Sequence, residues 1–152
     1  MGLDIIPAIY ACKKKNTAVL DDDGKIDCNL TQDSGGCPWK NELDSSGIKP
    51  KIVLGMFGTD CWYRGKYAEY LISKYDAPFS FYGESVYDEN GDEGYGLSPD
   101  QCYELSDYMN SIHNANNRLI SEDGEDITDD WIYISWWLEF AAKNCDGIVS
   151  WF

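Results

Sequence analysis

Residues 128–140 read TDDWIYISWWLEF, a run in which apolar residues surround nearly the whole circumference of a helix. A helix that is apolar on almost every side is stable only when other elements cover it, so this segment predicts a central helix. The leading Thr128-Asp129-Asp130 is typical of a helix cap, where a side-chain oxygen accepts hydrogen bonds from free backbone amides. We therefore expect the rest of the domain to be arranged around residues 128–140.

A second helix is predicted upstream, beginning at residues 98–101, which read SPDQ. Serine is a preferred N-cap residue, proline fits the first helical turn, and glutamine three residues after the cap completes a capping box. Beyond this start, two stripes run along different faces of the predicted helix. The apolar stripe contains Cys102, Leu105, Met109 and Ile112, and the acidic stripe contains Asp100, Glu104 and Asp107.

The remaining segments complete an α+β pattern. β-Branched and aromatic residues predict strands over residues 3–10, 51–57, 79–82 and 148–152, with Pro7 favouring a sheet edge or a bulge. A hairpin is expected around Asp21-Asp22-Asp23-Gly24, a helix over residues 62–75, and long loops over residues 29–50 and 83–96. No internal repeat is expected. The prediction for residues 1–152 is a single α+β domain with a small, mostly antiparallel sheet packed against about three helices.

The composition is that of one folded domain. The chain has 152 residues, 43% of them hydrophobic, which is enough for one core. No run approaches the roughly 18 apolar residues of a membrane span, and the N-terminus lacks the pattern of a signal peptide. We therefore expect a cytoplasmic protein without membrane contact, whose cysteines are thiols: Cys12, Cys28, Cys37, Cys61, Cys102 and Cys145.

The net charge of −15 is concentrated in one segment. Residues 84–130 hold 14 acidic residues and one basic residue, Arg118. Such a segment repels nucleic acid and anionic membranes and attracts basic proteins. Two groups of carboxylates are predicted to bind a basic partner: Glu84, Asp88, Glu89, Asp92 and Glu93 in the loop, and Asp100, Glu104 and Asp107 on the helix.

A different kind of site is indicated by residues 62–66, which read WYRGK. Trp62, Arg64 and Lys66 place two cations beside aromatic rings at a predicted helix start, and this combination suits phosphate or carboxylate. The competing interpretation, an internal ion pair between Arg64 and one of the many carboxylates, is favoured over this anion site.

Signals for metal binding and catalysis are incomplete. The stretch Asp21-Asp22-Asp23-Gly24 matches half a calcium loop without its closing carboxylate, and Cys12, Cys28 and Cys37 lack the close pairs of a zinc site. Cys61 and the single histidine, His113, form a nucleophile pair only if the fold brings them together. Carboxylates beside aromatic rings also suit glycoside cleavage, but with poor specificity. We predict no metal, no cofactor and no catalytic residue, so a non-enzymatic role is favoured.

Four stretches resemble uncharacterised small acidic proteins of bacteriophages and prophages. They are the start MGLDI, the unit Cys37-Pro38-Trp39, residues 57–66 (FGTDCWYRGK) and the tryptophan-rich helix. The resemblance implies no activity and no site residues. It implies a context, since small acidic phage proteins often antagonise host defence, sometimes by presenting carboxylates where an enzyme expects phosphates.

Charge and resemblance together predict a phage-type inhibitor whose acidic face mimics nucleic acid and blocks a basic surface of a host defence protein. Two alternatives stay open. One is a binder or sponge for a nucleotide-like anion at Trp62, Arg64 and Lys66, and the other is a structural acidic protein with no enzymatic role.

Overall fold

The computed structural model describes residues 4–48, 63–64, 74–80, 83–87 and 90–151. Five strands and five helices lie in these residues. The strands are β1 (Asp4–Pro7), β2 (Tyr63–Arg64), β3 (Glu84–Tyr87), β4 (Glu93–Leu97) and β5 (Ile148–Trp151). The helices are α1 (Ala11–Lys14), α2 (Cys28–Asp33), α3 (Pro38–Ser46), α4 (Pro99–Ala115) and α5 (Thr128–Asn144). This arrangement confirms the predicted α+β class.

The five strands form one sheet of order β2-β1-β5-β4-β3, in which every neighbouring pair is antiparallel. β5 confirms the predicted C-terminal strand and lies in the middle of the sheet. By register, Ile5, Leu97 and Ile148 share one face, and all three belong to the core that also contains the buried residues of α4 and α5. The two long helices therefore cover this face of the sheet.

Pro7 lies neither on an edge strand nor at a bulge. β1 is internal, and Pro7 ends it, paired to Ile148 of β5; on the other side, the described residues of β2 pair with Asp4 and Ile5. The residue without an N–H group therefore stands at the end of its strand, beyond the described pairs between β1 and β2.

Helix α4 begins as predicted. The Ser98 hydroxyl accepts a hydrogen bond from the Gln101 amide at 3.3 Å, and the Gln101 side-chain oxygen accepts one from the Ser98 amide at 2.9 Å. These two bonds form the capping box. Leu105 and Met109 are fully buried and Ile112 is partly buried, so the apolar stripe is confirmed as the packed face.

Helix α5 is the central helix, as predicted. Trp137 and Phe140 are no more than 2% exposed, and Trp136 is partly buried, with its ring stacked on Phe140 at 5.6 Å between centroids. The predicted cap is wrong: Thr128 is already inside the helix, and the N-cap position has no side-chain hydrogen bond. The Thr128 hydroxyl is instead engaged with residues before the helix, since it accepts from the Leu119 amide at 2.9 Å and donates to Asp126 Oδ1 at 2.6 Å.

Helices α4 and α5 pack antiparallel, since Ser106 contacts Ser135 while Met109, later in α4, contacts Trp131, earlier in α5. The Ser106 hydroxyl donates to the Ser135 carbonyl at 2.8 Å, and the Ser135 hydroxyl donates to Asn110 Oδ1 at 2.7 Å. The Trp131 indole N–H donates to the Met109 carbonyl at 2.9 Å. These bonds avoid the cost of about 1–3 kcal/mol that each buried, unsatisfied polar group would carry.

Residues 29–50 are not the predicted long loop, because α2 and α3 occupy most of them. The Asp27 carboxylate caps α2 by accepting a hydrogen bond from the Leu30 amide at 3.0 Å. Pro38 lies in the first turn of α3, and Gly47 ends this helix in the left-handed conformation, with φ 74°. These are ordinary helix signals in a polar stretch. Trp39 is buried and belongs to the core.

Residues 83–96 are not the predicted loop either, because they contain the β3–β4 hairpin. Its turn includes Asn90-Gly91, with Gly91 at φ 81°, and Asn-Gly is a strong hairpin signal. Gly94 and Gly96 are buried in β4, and a Cβ on Gly94 would come within 3.0 Å of Val149 Cγ1. Glycines therefore occupy the positions where a half-buried strand usually shows apolar side chains.

The strand predicted over residues 51–57 and most of the helix predicted over residues 62–75 lie outside the described residues. Tyr63 and Arg64 are described, and they form strand β2 rather than helix, with Tyr63 opposite Ile5. Pairing with β1 overrides the local helical pattern at these two residues. Phe79 and Ser80 lie outside any strand, whereas the rest of the strand predicted over residues 79–82 is not among the described residues.

A turn–helix unit occurs twice, contrary to the expectation of no internal repeat. In residues 19–31, Leu20 bridges Ile26, the Asp21 amide donates to the Lys25 carbonyl at 2.7 Å, and Gly24 has φ 79°. In residues 119–131, Ile120 bridges Asp126, the Ser121 amide donates to the Glu125 carbonyl at 2.8 Å, and Gly124 has φ 82°. The predicted hairpin is thus reduced to one bridge, and Cys28 begins a helix instead of continuing a strand.

Replacing Trp137 by alanine is expected to lower the free energy of unfolding by about 3–5 kcal/mol, because removal of a fully buried ring leaves a cavity. The matched control is Glu139→Ala on the exposed side of the same helix, which should change it by about 0.5 kcal/mol or less. Urea denaturation followed by circular dichroism measures both variants. Equal midpoints would contradict the central position of α5.

Candidate functional site

The acidic stripe of α4 consists of Asp100, Glu104 and Asp107, and all three side chains are exposed. At 3.6 residues per turn, they lie within about 60° of one another around the helix, whereas Leu105 and Met109 lie on the opposite side. The predicted division of α4 into an acidic outer face and an apolar inner face is therefore confirmed.

None of these three carboxylates has an ion pair or a side-chain hydrogen bond in the described part of the chain. The ion pairs found there involve other acids: Lys14–Asp146, Lys40–Asp44, Arg118–Asp126 and Lys143–Glu42. Since a helix rises about 1.5 Å per residue, the stripe extends over about 10 Å of the helix axis. It is a short row of negative charges without a cationic partner among the described residues.

The support beneath the stripe is rigid. The capping box fixes the first turn of α4, and the buried Ser106 and Trp131 bonds fix the rotation of α4 against α5. Because the backbone of α4 is held in place, the three carboxylates can move only by rotation of their own side chains. Their spacing is therefore set before any partner arrives, which lowers the entropy cost of binding.

The acids of the β3–β4 hairpin are less well grouped. Glu84 and Glu93 are both exposed, but the hairpin register places them on opposite faces of the sheet. Glu93 also accepts a hydrogen bond from the Ser85 hydroxyl at 2.5 Å. Asp92 is exposed and has a further contact, while Asp88 and Glu89 lie outside the described residues. Of the predicted partner-binding residues, the structure thus brings together the helix stripe and separates Glu84 from Glu93.

A second acidic group was missed in the prediction of the site. Glu122, Asp123 and Glu125 are exposed in the turn that joins α4 to α5. This turn belongs to the second turn–helix unit, and its Asp-Gly pair at residues 123–124 repeats the one at residues 23–24. That pair is the sequence signal that could have identified the turn.

Asp126 differs from the other acids of this turn because its carboxylate is bound. The hydroxyl and the amide of Thr128 donate to it at 2.6 and 3.0 Å, and Arg118 Nε donates at 3.1 Å. These bonds, led by the Thr128 hydroxyl, favour the charged form and lower the pKa of Asp126 to about 2. Arg118 is therefore engaged within this turn and leaves the α4 stripe unneutralised.

The five described cysteines are thiols, as expected for these positions. Four of them are buried, and burial raises the pKa of the Cys102 thiol to about 12, so this thiol stays protonated at neutral pH. His113 is half-buried in the last turn of α4. Cys61, which could act as a nucleophile only if it lay beside His113, is outside the described residues, so the structure leaves this pair undescribed.

The other alternative sites are described only in part. Among the described residues, no group of three or more histidine, cysteine, aspartate or glutamate side chains is arranged to hold a metal ion. No helix described in the structure is both long and apolar enough to cross a membrane. For the predicted anion site, Arg64 is described only by its place in β2, and Trp62 and Lys66 lie outside the described residues.

The chain matches no family model, and neither a curated protein nor a solved structure is significantly similar to it. Function is therefore inferred from the geometry and charge of the described residues.

Thr128→Val removes the hydroxyl that donates to Asp126 and should raise the pKa of this carboxyl from about 2 toward its ordinary value of 3.8. Because the folded-state pKa is the lower one, these bonds stabilise the fold above about pH 4, and this stability is lost as the pH falls through about 2. An NMR titration of the Asp126 side chain measures the shift. Ser111→Ala, an exposed hydroxyl on α4, is the control and should leave the pKa of Asp126 unchanged. An unchanged pKa in Thr128→Val would contradict the assignment of cause.

Proposed function

We propose that this protein is a phage-type inhibitor whose acidic face occupies a basic, normally nucleic-acid-binding surface of a host defence protein. The observation that carries the proposal is the α4 stripe of Asp100, Glu104 and Asp107. These side chains are exposed, lack ion pairs within the described residues, and sit on a capped helix of 17 residues. The host context comes from the resemblance to small acidic phage proteins.

The spacing of the stripe favours long-range electrostatic attraction of a basic partner over an atom-by-atom imitation of DNA phosphates. Three charges over about 10 Å of helix axis compare with one phosphate per about 3.4 Å along each strand of duplex DNA. The stripe alone is therefore sparser than one strand. The exposed acids of the β3–β4 hairpin and of the turn at residues 121–126 add to the negative potential of the same segment.

The main competing hypothesis is that the acidic face serves only to keep the protein soluble. Solubility depends on net charge and its spread over the surface, and it is indifferent to which acids supply the charge. An interaction face depends on particular positions, because charges close to the partner act strongly while distant ones are screened over about 8 Å at physiological salt. The two functions therefore differ in how they respond when the same charge is removed at different places.

The test begins with bacterial host proteins that have been selected by their binding to a column of duplex DNA. These proteins are then passed over the immobilised acidic protein. We expect a subset to be retained and then released by added duplex DNA. The association rate constant of a retained protein, measured by surface plasmon resonance, should fall at least about tenfold as salt rises from about 0.05 to 0.5 M.

Position dependence is tested with two triple variants that each remove three negative charges. In the first, Asp100→Asn, Glu104→Gln and Asp107→Asn are combined; in the control, Asp22→Asn, Asp23→Asn and Asp33→Asn are combined. All six side chains are exposed, so both variants should keep the stability of the parent within about 0.5 kcal/mol. The first should lower the association rate constant at least about tenfold and the control about twofold or less.

Two results would overturn the proposal. If no DNA-binding host protein is retained, the acidic face has no partner of this class. If both triple variants slow association equally, net charge alone is responsible, and the solubility function replaces the interaction face.

A further inference from the structure

A cavity of about 530 Å³ lies beside the first turn–helix unit, away in sequence from the acidic stripe. Tyr10 and Lys13 border it from α1 and its cap, Lys25 and Ile26 from the turn, and Asn90 from the β3–β4 turn. Its volume is within the range of about 300–1,000 Å³ that is usual for small-molecule sites. The fold has thus joined three separate segments around one space.

The described lining of this cavity is basic, although the chain as a whole is acidic. The chain has 27 acidic and 12 basic residues, yet the ionised residues among the described lining are both lysines. Two acids near these residues in sequence are engaged with the backbone, whereas Asp22 and Asp23, directly before Gly24, are exposed. Asp21 Oδ1 accepts hydrogen bonds from the amides of Asp23 and Lys25, at 2.9 Å each, and Asp27 Oδ1 accepts one from the Leu30 amide at 3.0 Å.

Lys25 supplies the more accessible of the two cations. Its side chain is exposed, and its ammonium forms no ion pair with any residue in the described ranges. Lys13 is exposed as well but takes part in another contact. Tyr10 and Ile26 are half-buried and provide an apolar wall, while the Asn90 amide can donate and accept hydrogen bonds.

We propose that this cavity binds a nucleoside monophosphate, a small molecule that joins a phosphate dianion to a flat ring. The Lys25 ammonium pairs with the phosphate and Lys13 adds positive charge to the same lining, since lysine is a common phosphate ligand. The apolar wall of Tyr10 and Ile26 suits the ring. This site is independent of the acidic face, so either proposal can fail without the other.

Calorimetric titration of the full chain with AMP and with UMP, at low ionic strength, tests the ligand class. At least one nucleotide should bind with a Kd of about 1 mM or lower. Adenosine, which lacks the phosphate, and inorganic phosphate, which lacks the ring, should each bind at least about tenfold more weakly than the nucleotide, a difference of about 1.4 kcal/mol.

Substitution of the lysines tests the location. Lys25→Gln should weaken nucleotide binding at least about tenfold, and the matched control Lys40→Gln, which removes one charge from an exposed ion pair with Asp44, should change it about twofold or less. Cys28 borders the cavity and is only half-buried, so its alkylation rate, read by peptide mass spectrometry, reports directly on occupancy. The nucleotide should slow this alkylation in the parent chain and have no such effect in Lys25→Gln at the same concentration.

The proposal fails if neither AMP nor UMP binds saturably at about 1 mM, or if adenosine binds as tightly as the nucleotides. It also fails if Lys25→Gln and Lys40→Gln weaken binding equally, since net charge would then explain the effect. Nucleotide binding without protection of Cys28 would place the ligand elsewhere on the chain and equally overturn it.

Discussion

The antiparallel contact between α4 and α5 is the interaction on which the described structure depends. It is built on large buried rings such as Trp131, yet its centre is polar, with the Ser106–Ser135 bond and the indole bond to the Met109 carbonyl. Hydrogen bonds in a dry contact are directional and costly to leave unmade. A slip of α4 along α5 by one turn would orphan both hydroxyls and the indole N–H. The register and rotation of α4 are therefore fixed from the inside.

Because its packing holds α4 in place, the outer face of this helix can carry like charges that would destabilise an isolated helix. Asp100 and Glu104 are four residues apart, and Glu104 and Asp107 three, so like charges are neighbours, at a cost of about 0.2–0.5 kcal/mol per pair. Asp100 regains part of this near the positive end of the helix dipole. The rest is offset by the burial of Leu105 and Met109. The acidic outer face of α4 is thus tolerated because the inner face of the same helix is packed against the core.

The sequence was sufficient for elements whose signals are local. α4 was predicted from its capping box and apolar stripe, α5 from its run of apolar residues, and β5 from β-branched and aromatic residues, and each of these signals lies within a few residues. The β3–β4 hairpin was missed because β4 has glycines, Gly94 and Gly96, at two of its buried positions. These glycines leave room for Val149 of the paired strand β5, which is distant in the sequence. The repeat was hidden because Asp21 and Ser121 differ in type, although each accepts a hydrogen bond from the amide four residues later.

The candidate sites divide in the same way. The α4 stripe could be predicted, because helical periodicity alone places Asp100, Glu104 and Asp107 together. The separation of Glu84 from Glu93 could not, since it depends on hairpin register. The cavity at Lys25 was also out of reach, because Asn90 joins it only through the folded sheet.

The position of β5 has a consequence for how the chain folds as it is made. The sheet pairs Asp4 with Trp151, so β1 and β4 cannot be joined until residues 148–151 have been synthesised. Pairing of such distant segments is slow, and strand edges left open in the meantime can pair with other chains. A nascent chain that already carries many acidic residues repels its neighbours during this interval. Like charge on neighbouring chains therefore opposes the edge-to-edge pairing that an unfinished sheet would otherwise allow.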